Sequence, residues 1–127
     1  MNMGGIFSNC YSLQTIPLLN TSAVTNMSGM FNGCYSLQTI PAINLTKATN
    51  LGLASIFANC PTLSRIQATN INYTFSVTNC RLSSAALNEI YTNLPTVTGQ
   101  TITVTGNFGV TDDDPSIATA KGWTVTG

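Results

Sequence analysis

Cys10-Tyr11-Ser12-Leu13-Gln14-Thr15-Ile16-Pro17 returns without a change as Cys34-Tyr35-Ser36-Leu37-Gln38-Thr39-Ile40-Pro41, 24 residues further along the chain. A fixed period of this size signals one supersecondary unit used again. The flanks agree with the duplication. Asn2-Met3 and Asn26-Met27 open the two units, and Phe7 and Phe31 each lie three residues before the Cys. A looser third unit carries Asn50-Leu51, Phe57, Cys60, Leu63 and Ile66, and a fourth runs from Asn70 to Cys80. The shared template is Asn-apolar followed by Phe-x-x-Cys-x-x-Leu-x-x-Ile.

A unit this short cannot bury its own Phe, Cys, Leu and Ile, so its apolar positions must be covered by neighbouring units. The expected architecture is therefore an α/β solenoid of stacked coils. In this reading Leu13-Gln14-Thr15-Ile16 and its copies are short parallel strands, ended by Pro17 and Pro41, since Pro cannot donate within a ladder. Ala23 to Phe31 and Ala48 to Phe57 are read as short helices on the opposite side. Residues 1–69 would hold the repeats, and 70–127 the irregular later repeats and cap of the same solenoid.

The later stretch has its own signals. Ile71, Tyr73, Phe75 and Val77 alternate with polar residues as in a strand. Ser84 to Asn93 reads as a helix with Leu87, Ile90, Tyr91 and Leu94 on one face and Ser83 or Ser84 as cap. Thr101 to Thr105 reads as a strand. Asp114-Pro115 opens a short helix through Ala120, with Asp as N-cap and Pro at the first helical position. Gly122 ends it, and Trp123 to Thr126 forms a last strand.

Composition narrows the function. The chain has 127 residues, Lys+Arg 4, Asp+Glu 4, no His and a net charge of zero. Charged residues make up 6%, against about 25% in a typical soluble domain. Ser, Thr and Asn supply the polarity, at about a third of the residues. Nonspecific nucleic-acid binding needs clustered Lys and Arg, and Lys47, Arg65, Arg81 and Lys121 are scattered. No apolar run approaches the length of a membrane span. No signal peptide is visible, and the chain enters directly into a repeat, which is compatible with a fragment or with a first unit covered by something else.

The residues also bear a family resemblance. Phe-x-x-Cys-x-x-Leu-x-x-Ile-Pro, followed by Val24-Thr25-Asn26-Met27-Ser28-Gly29-Met30-Phe31, resembles the BspA-type leucine-rich repeats over about residues 2 to 66. Such repeats occur in bacterial surface proteins and in some phage structural proteins. Leu87-Asn88 through Gly106-Asn107, and on to Ile117-Ala118-Thr119-Ala120-Lys121-Gly122-Trp123-Thr124-Val125, resembles the C-terminal ends of phage tail-fibre and related virion proteins. The departures are Pro61 in place of the Tyr, a drifting unit length, and a fourth unit without the helical segment. The resemblance implies leucine-rich-repeat-like stacked coils and a place on a virion surface or, alternatively, on a bacterial cell surface.

Candidate chemistry is sparse. Cys10, Cys34, Cys60 and Cys80 hold one repeat position, without Cys-x-x-Cys or His to make a zinc site. They read as buried thiols acting as small hydrophobes, with a disulfide between neighbouring units as the lesser reading. Asp112, Asp113 and Asp114 suit a helix start better than the six to eight oxygens of calcium. Glu89 has no acidic partner near it for paired-carboxylate hydrolysis, and no base stands ready to activate a Ser or Cys. No cofactor and no enzyme activity are expected. Asn2, Asn26, Asn50 and Asn70 read as a ladder satisfying turn backbone inside the coil. Asn20, Asn26, Asn44 and Asn72 begin Asn-x-Ser/Thr sequons.

What remains is a surface. If Leu13 and Ile16 point inward, Gln14, Thr15, Gln38, Thr39, Ser64 and Arg65 face out, with Tyr11 and Tyr35 beside them. The binding candidates are Tyr11, Gln14, Tyr35, Gln38, Thr39 and Arg65. Amides, hydroxyls and aromatics together suit sugars, and Tyr brings contact area at low entropic cost. The plain alternative is the solvated face of a sheet. The expected function is a non-enzymatic phage virion component, a tail-fibre or appendage module contacting a host-surface glycan or protein and other virion proteins. The alternatives are a BspA-type bacterial adhesin and a purely structural virion assembly or decoration module. Self-association stays open, since no heptads mark an oligomer seam.

Overall fold

The computed structural model describes residues 1–49 and 55–127. The strands are β1 (Thr39–Ile40), β2 (Arg65–Ile66), β3 (Phe75–Ser76), β4 (Gln100–Thr103) and β5 (Trp123–Thr126). The helices are α1 (Ser84–Asn93) and α2 (Ser116–Thr119), with a 3-10 turn at Phe108–Thr111 between β4 and α2. β1 and β2 form one parallel sheet, Thr39 opposite Arg65 and Ile40 opposite Ile66. β3, β4 and β5 form a second parallel sheet, with Phe75 opposite Ile102 and Gln100 opposite Trp123.

This arrangement corrects the expected α/β solenoid of leucine-rich-repeat-like coils. Among the described residues five short strands divide between two small sheets, and both helices lie in the C-terminal half. The result is a small α/β domain and not a solenoid with strands along one side and helices along the other. Ala23 to Phe31 holds turns where helix is expected. Of Ala48 to Phe57, residues 50–54 lie outside the described residues, and Ser55 to Asn59 is again turns.

The reason lies in the backbone. Gly5 and Asn9, Gly29 and Gly33, and Ser55 and Asn59 are left-handed, with φ between 58° and 74°. A left-handed residue at every fourth position stops a helix before it closes a second turn. Single turns result instead, as when the Ile6, Ser8 and Cys10 N–H groups donate to Met3, Gly5 and Phe7 O at 3.3, 2.9 and 3.1 Å. The Met, Phe and Cys spacing that looks helical is the spacing of successive tight turns.

The sheet is interrupted where the unit length changes. The Cys positions 10, 34, 60 and 80 are 24, 26 and 20 residues apart. Phe7, Phe31 and Phe57 lie ring on ring, with centroids 5.6 and 6.1 Å apart and planes within 8°. Phe75 then turns edge-on to Phe57 at 83°, and Trp123 edge-on to Phe75 at 89°. The aromatic row changes geometry at the point where β1–β2 gives way to β3–β4–β5.

One apolar cluster nevertheless runs from Val24 to Trp123. α1 buries Leu87, Ile90 and Tyr91 and is capped by Ser83, whose hydroxyl accepts from the Ala86 N–H at 3.1 Å. Lys121 closes the other end, its Nζ donating to Tyr91, Thr92 and Leu94 O at 3.1, 2.6 and 2.9 Å, a favourable place for a cation. The Asp114 carboxylate accepts from the Ser116 N–H at 3.1 Å, so it serves the start of α2 one residue earlier than a formal N-cap. Gly109 has no room for a side chain, since a Cβ there would meet Ser83 C and Ser84 N at 2.2 Å.

Candidate functional site

Tyr11 and Tyr35 are carried on the turns that follow Cys10 and Cys34. Their rings stack at 4.9 Å with planes 14° apart, and they remain 55% and 51% exposed. The carbonyls around them are paired. Ser36 Oγ donates to Tyr11 O at 2.6 Å, and Thr62 Oγ1 to Tyr35 O at 2.9 Å. The Gln38 N–H donates to Gln14 O at 3.2 Å, and the Ser64 N–H to Gln38 O at 3.0 Å. Gln14 and Gln38 are exposed, while Thr39, opposite Arg65 in the sheet, is half-buried. All six predicted binding residues therefore belong to one hydrogen-bonded surface strip.

The stacking changes what the tyrosines offer. Each ring covers one face of the other, so the pair presents edges and hydroxyls outward. The strip is accordingly a hydrogen-bonding surface of amides, phenols and hydroxyls.

At the other end of the strip stands a residue without a signal in the local sequence. Arg65 Nε and Nη2 meet Glu89 Oε1 and Oε2 at 3.0 Å each, a planar two-pronged pair across the gap from β2 to α1. Its hydrogen bond to Arg65 holds the Glu89 carboxyl below its ordinary value. Both side chains are partly exposed, so the pair orients the guanidinium more than it stabilises the fold. Beside it lies a shallow groove of about 320 Å³ lined by Ser64, Arg65, Ser83, Ala85, Ala86 and Glu89. Residues 65 and 89 come together only because α1 folds back over β2.

The other candidates resolve as structure. All four cysteines are free, and only Cys10 is not fully buried. The Cys34, Cys60 and Cys80 thiols donate to Phe7, Phe31 and Phe57 O, each at 3.0 Å. Burial pushes the Cys34 thiol up to about 11, and its hydrogen bond with Cys60, then burial, raise Cys80 further. Such thiols are not nucleophiles near neutral pH. The three aspartates diverge, Asp114 to α2 and Asp113 to the Tyr91 hydroxyl at 2.6 Å. Burial and then that carboxylate drive the Tyr91 phenol well above its ordinary value. Among the described residues no group of three or more His, Cys, Asp or Glu could hold a metal ion. No described helix is long and apolar enough to cross a membrane.

The asparagines do not form the expected internal ladder. Asn2 and Asn26 accept from Gly4 and Ser28 N–H at 2.8 and 3.0 Å, as surface turns. Asn70 reaches Asn44 at 3.1 Å, and Asn50 lies outside the described residues. Asn20 and Asn44 likewise accept from the N–H and hydroxyl of Ser22 and Thr46. Three of the four Asn-x-Ser/Thr sequons are thus turns in which Asn bonds two residues ahead. Among the described residues the buried asparagine is Asn107, at 3% exposure. It accepts from Leu82 N–H at 3.0 Å and donates to Val77 and Val104 O at 2.9 Å. No family model, no curated protein and no solved structure matches the chain.

Proposed function

We propose that the chain is a non-enzymatic recognition module, a surface component of a phage virion such as part of a tail fibre, that contacts a host-surface glycan or protein. The observation that supports recognition is the strip from Tyr11 and Tyr35 through Gln14 and Gln38 to Arg65. The carbonyls of Tyr11, Gln14, Tyr35 and Gln38 are paired, the two Tyr and two Gln are exposed, and Glu89 holds the one cation in place. A nearly uncharged surface rich in amides and hydroxyls favours a polar, neutral ligand, of which a glycan is the natural class. Each contact would be weak, and copy number on a particle would supply avidity. The virion setting rests on the resemblance of the repeats and of residues 87–125 to phage structural proteins.

The test is glycan-array binding by the whole chain beside Tyr35→Ala/Gln38→Ala, together with immunogold electron microscopy on particles and cells. Saturable glycan binding lost in the double variant, with unchanged thermal stability, supports the strip. Label at appendage tips supports the virion setting, and label confined to a bacterial envelope replaces it with a surface adhesin. A double variant that assembles into particles and binds cells like the parent would leave only a structural role.

A further inference from the structure

We propose that the N-terminal edge, residues 2–16, is a docking edge for a second polypeptide, one that carries the chain's own Phe-x-x-Cys-Tyr-x-Leu segment with its N–H groups free. The first support is the polarity of the backbone. Met3, Gly5, Phe7 and Asn9 N–H donate to Asn26, Ser28, Met30 and Asn32 O at 2.9, 3.0, 3.0 and 2.9 Å. The same direction continues from Phe31 and Gly33 to Ile56 and Ala58 O, and from Asn59 to Thr78 O. Between these turn segments the earlier one donates and the later one accepts, whereas between the strand segments the direction reverses, the Gln38 N–H donating to Gln14 O and the Ser64 N–H to Gln38 O. The counterparts of the accepting carbonyls in the first segment are those of Asn2, Gly4, Ile6 and Ser8. Among the described residues none of these four carbonyls receives a hydrogen bond. They form a row of acceptors pointing off one end of the molecule.

The side chains on this edge are equally open. Ile6 and Tyr11 are each 55% exposed, and Leu18, just beyond the edge, is 68% exposed. Met3, Phe7, Cys10, Leu13 and Ile16 are only partly covered, whereas their counterparts Met27, Phe31, Cys34, Leu37 and Ile40 are wholly buried. One face of the Tyr11 ring lies on Tyr35, and the other has no described ring against it. Acceptors, apolar side chains and an aromatic face thus coincide, as they do where polypeptides add to open edges.

The molecule itself shows what fits. Residues 34–41 repeat 10–17 identically, so the side of the second segment turned towards the first has the chemistry of the open edge. That side is covered by residues 2–16, with Phe7 stacked on Phe31 and Tyr11 on Tyr35. The occupant of the open edge is therefore a segment of that chemistry, offering donors to the acceptor row. A second copy of this chain meeting it through the same edge, about a two-fold axis, would set carbonyl row against carbonyl row and leave both unpaired.

The edge is tested by adding a further copy of residues 1–24 ahead of Met1 of the full chain. The control carries the same 24 residues in scrambled order. Hydrogen exchange is read over residues 3–16, and sedimentation on all three proteins. The native-order fusion should slow exchange there by about tenfold or more, with the monomer mass retained and the scrambled fusion matching the parent. Equal exchange in the two fusions overturns the proposal. So does a parent that sediments as a dimer with residues 3–16 already slow, which would make a second copy the occupant. Neither outcome bears on glycan binding by Gln38 and Arg65.

Discussion

Leu13 and Leu37 sit in the same eight residues, as do Ile16 and Ile40, yet the first of each pair is half-covered and the second is wholly buried. Phe7 and Phe31 differ in the same way. Local sequence cannot cause this difference, because locally there is none. Residues 26–43 have a neighbour on each side, while residues 2–19 have one. The contrast teaches that identical side chains contribute unequally according to how many of their faces leave water.

That contrast can be broken by substitution. Phe31→Ala should cost about 3–5 kcal/mol in urea unfolding, and Phe7→Ala roughly half as much, because one side of its ring already faces solvent. Equal losses would mean that the N-terminal edge is covered in solution. A second pair sets Asn107 against Asn2. Asn107→Ala strands the Leu82 N–H and the Val77 carbonyl in the core and should cost about 2–3 kcal/mol. Asn2→Ala, in an exposed turn, should cost about 0.5 kcal/mol or less.

The thiols sharpen the comparison by rate. Alkylation of the native protein at pH 8 should modify Cys10 about tenfold or more faster than Cys34, since Cys34 is buried and its thiol is pushed up to about 11. Peptide mapping of the label gives the ratio. Similar rates would show that the two segments open together.

The smallest effect is at Arg65 and Glu89. Glu89→Gln should change stability by about 0.5 kcal/mol or less, as exposed pairs do. Because folding lowers the Glu89 pKa, the pair contributes above the ordinary carboxylate pKa of about 4.3 and its contribution is lost as pH falls through the lower folded value. Parent and Glu89→Gln stabilities should therefore converge in acid. A gap that widens there would assign the effect to something other than the ion pair.

Much of the C-terminal half was legible. Ser84–Asn93 is helical with Ser83 as its cap, and Leu87, Ile90 and Tyr91 form its buried face. β5 spans Trp123–Thr126 as expected, and β4 begins one residue earlier and ends two earlier than its alternating Thr pattern suggests. The amphipathic period and the cap are local properties, so the chain displays them directly. In the N-terminal half the period misled. Met, Phe and Cys at three- and four-residue spacing fit a helix, and only the left-handed Gly29, Gly33, Asn9 and Asn59 show that the backbone makes single turns. Residues such as Asn and Gly allow that conformation without requiring it.

The candidate strip divides along the same line. Tyr11, Gln14, Tyr35 and Gln38 could be singled out because the duplication places them at equal positions beside the inward Leu and Ile. That the two rings hide each other's faces, and that Glu89 clamps Arg65, came from outside the repeat.

By itself the sequence determined the unit length, the apolar positions within each unit, the helix at 84–93 and a nearly chargeless surface. These follow from composition and short-range periodicity, which every window of the chain carries. The tertiary structure alone decided that the strands separate into two sheets and that Asn107 joins Leu82 to Val77 and Val104. It also decided that, among the described residues, the carbonyls of Asn2, Gly4, Ile6 and Ser8 accept no hydrogen bond. Each of these depends on which segments become neighbours, and that depends on summed burial and backbone pairing across 20 to 30 residues of intervening chain, beyond the reach of any local pattern.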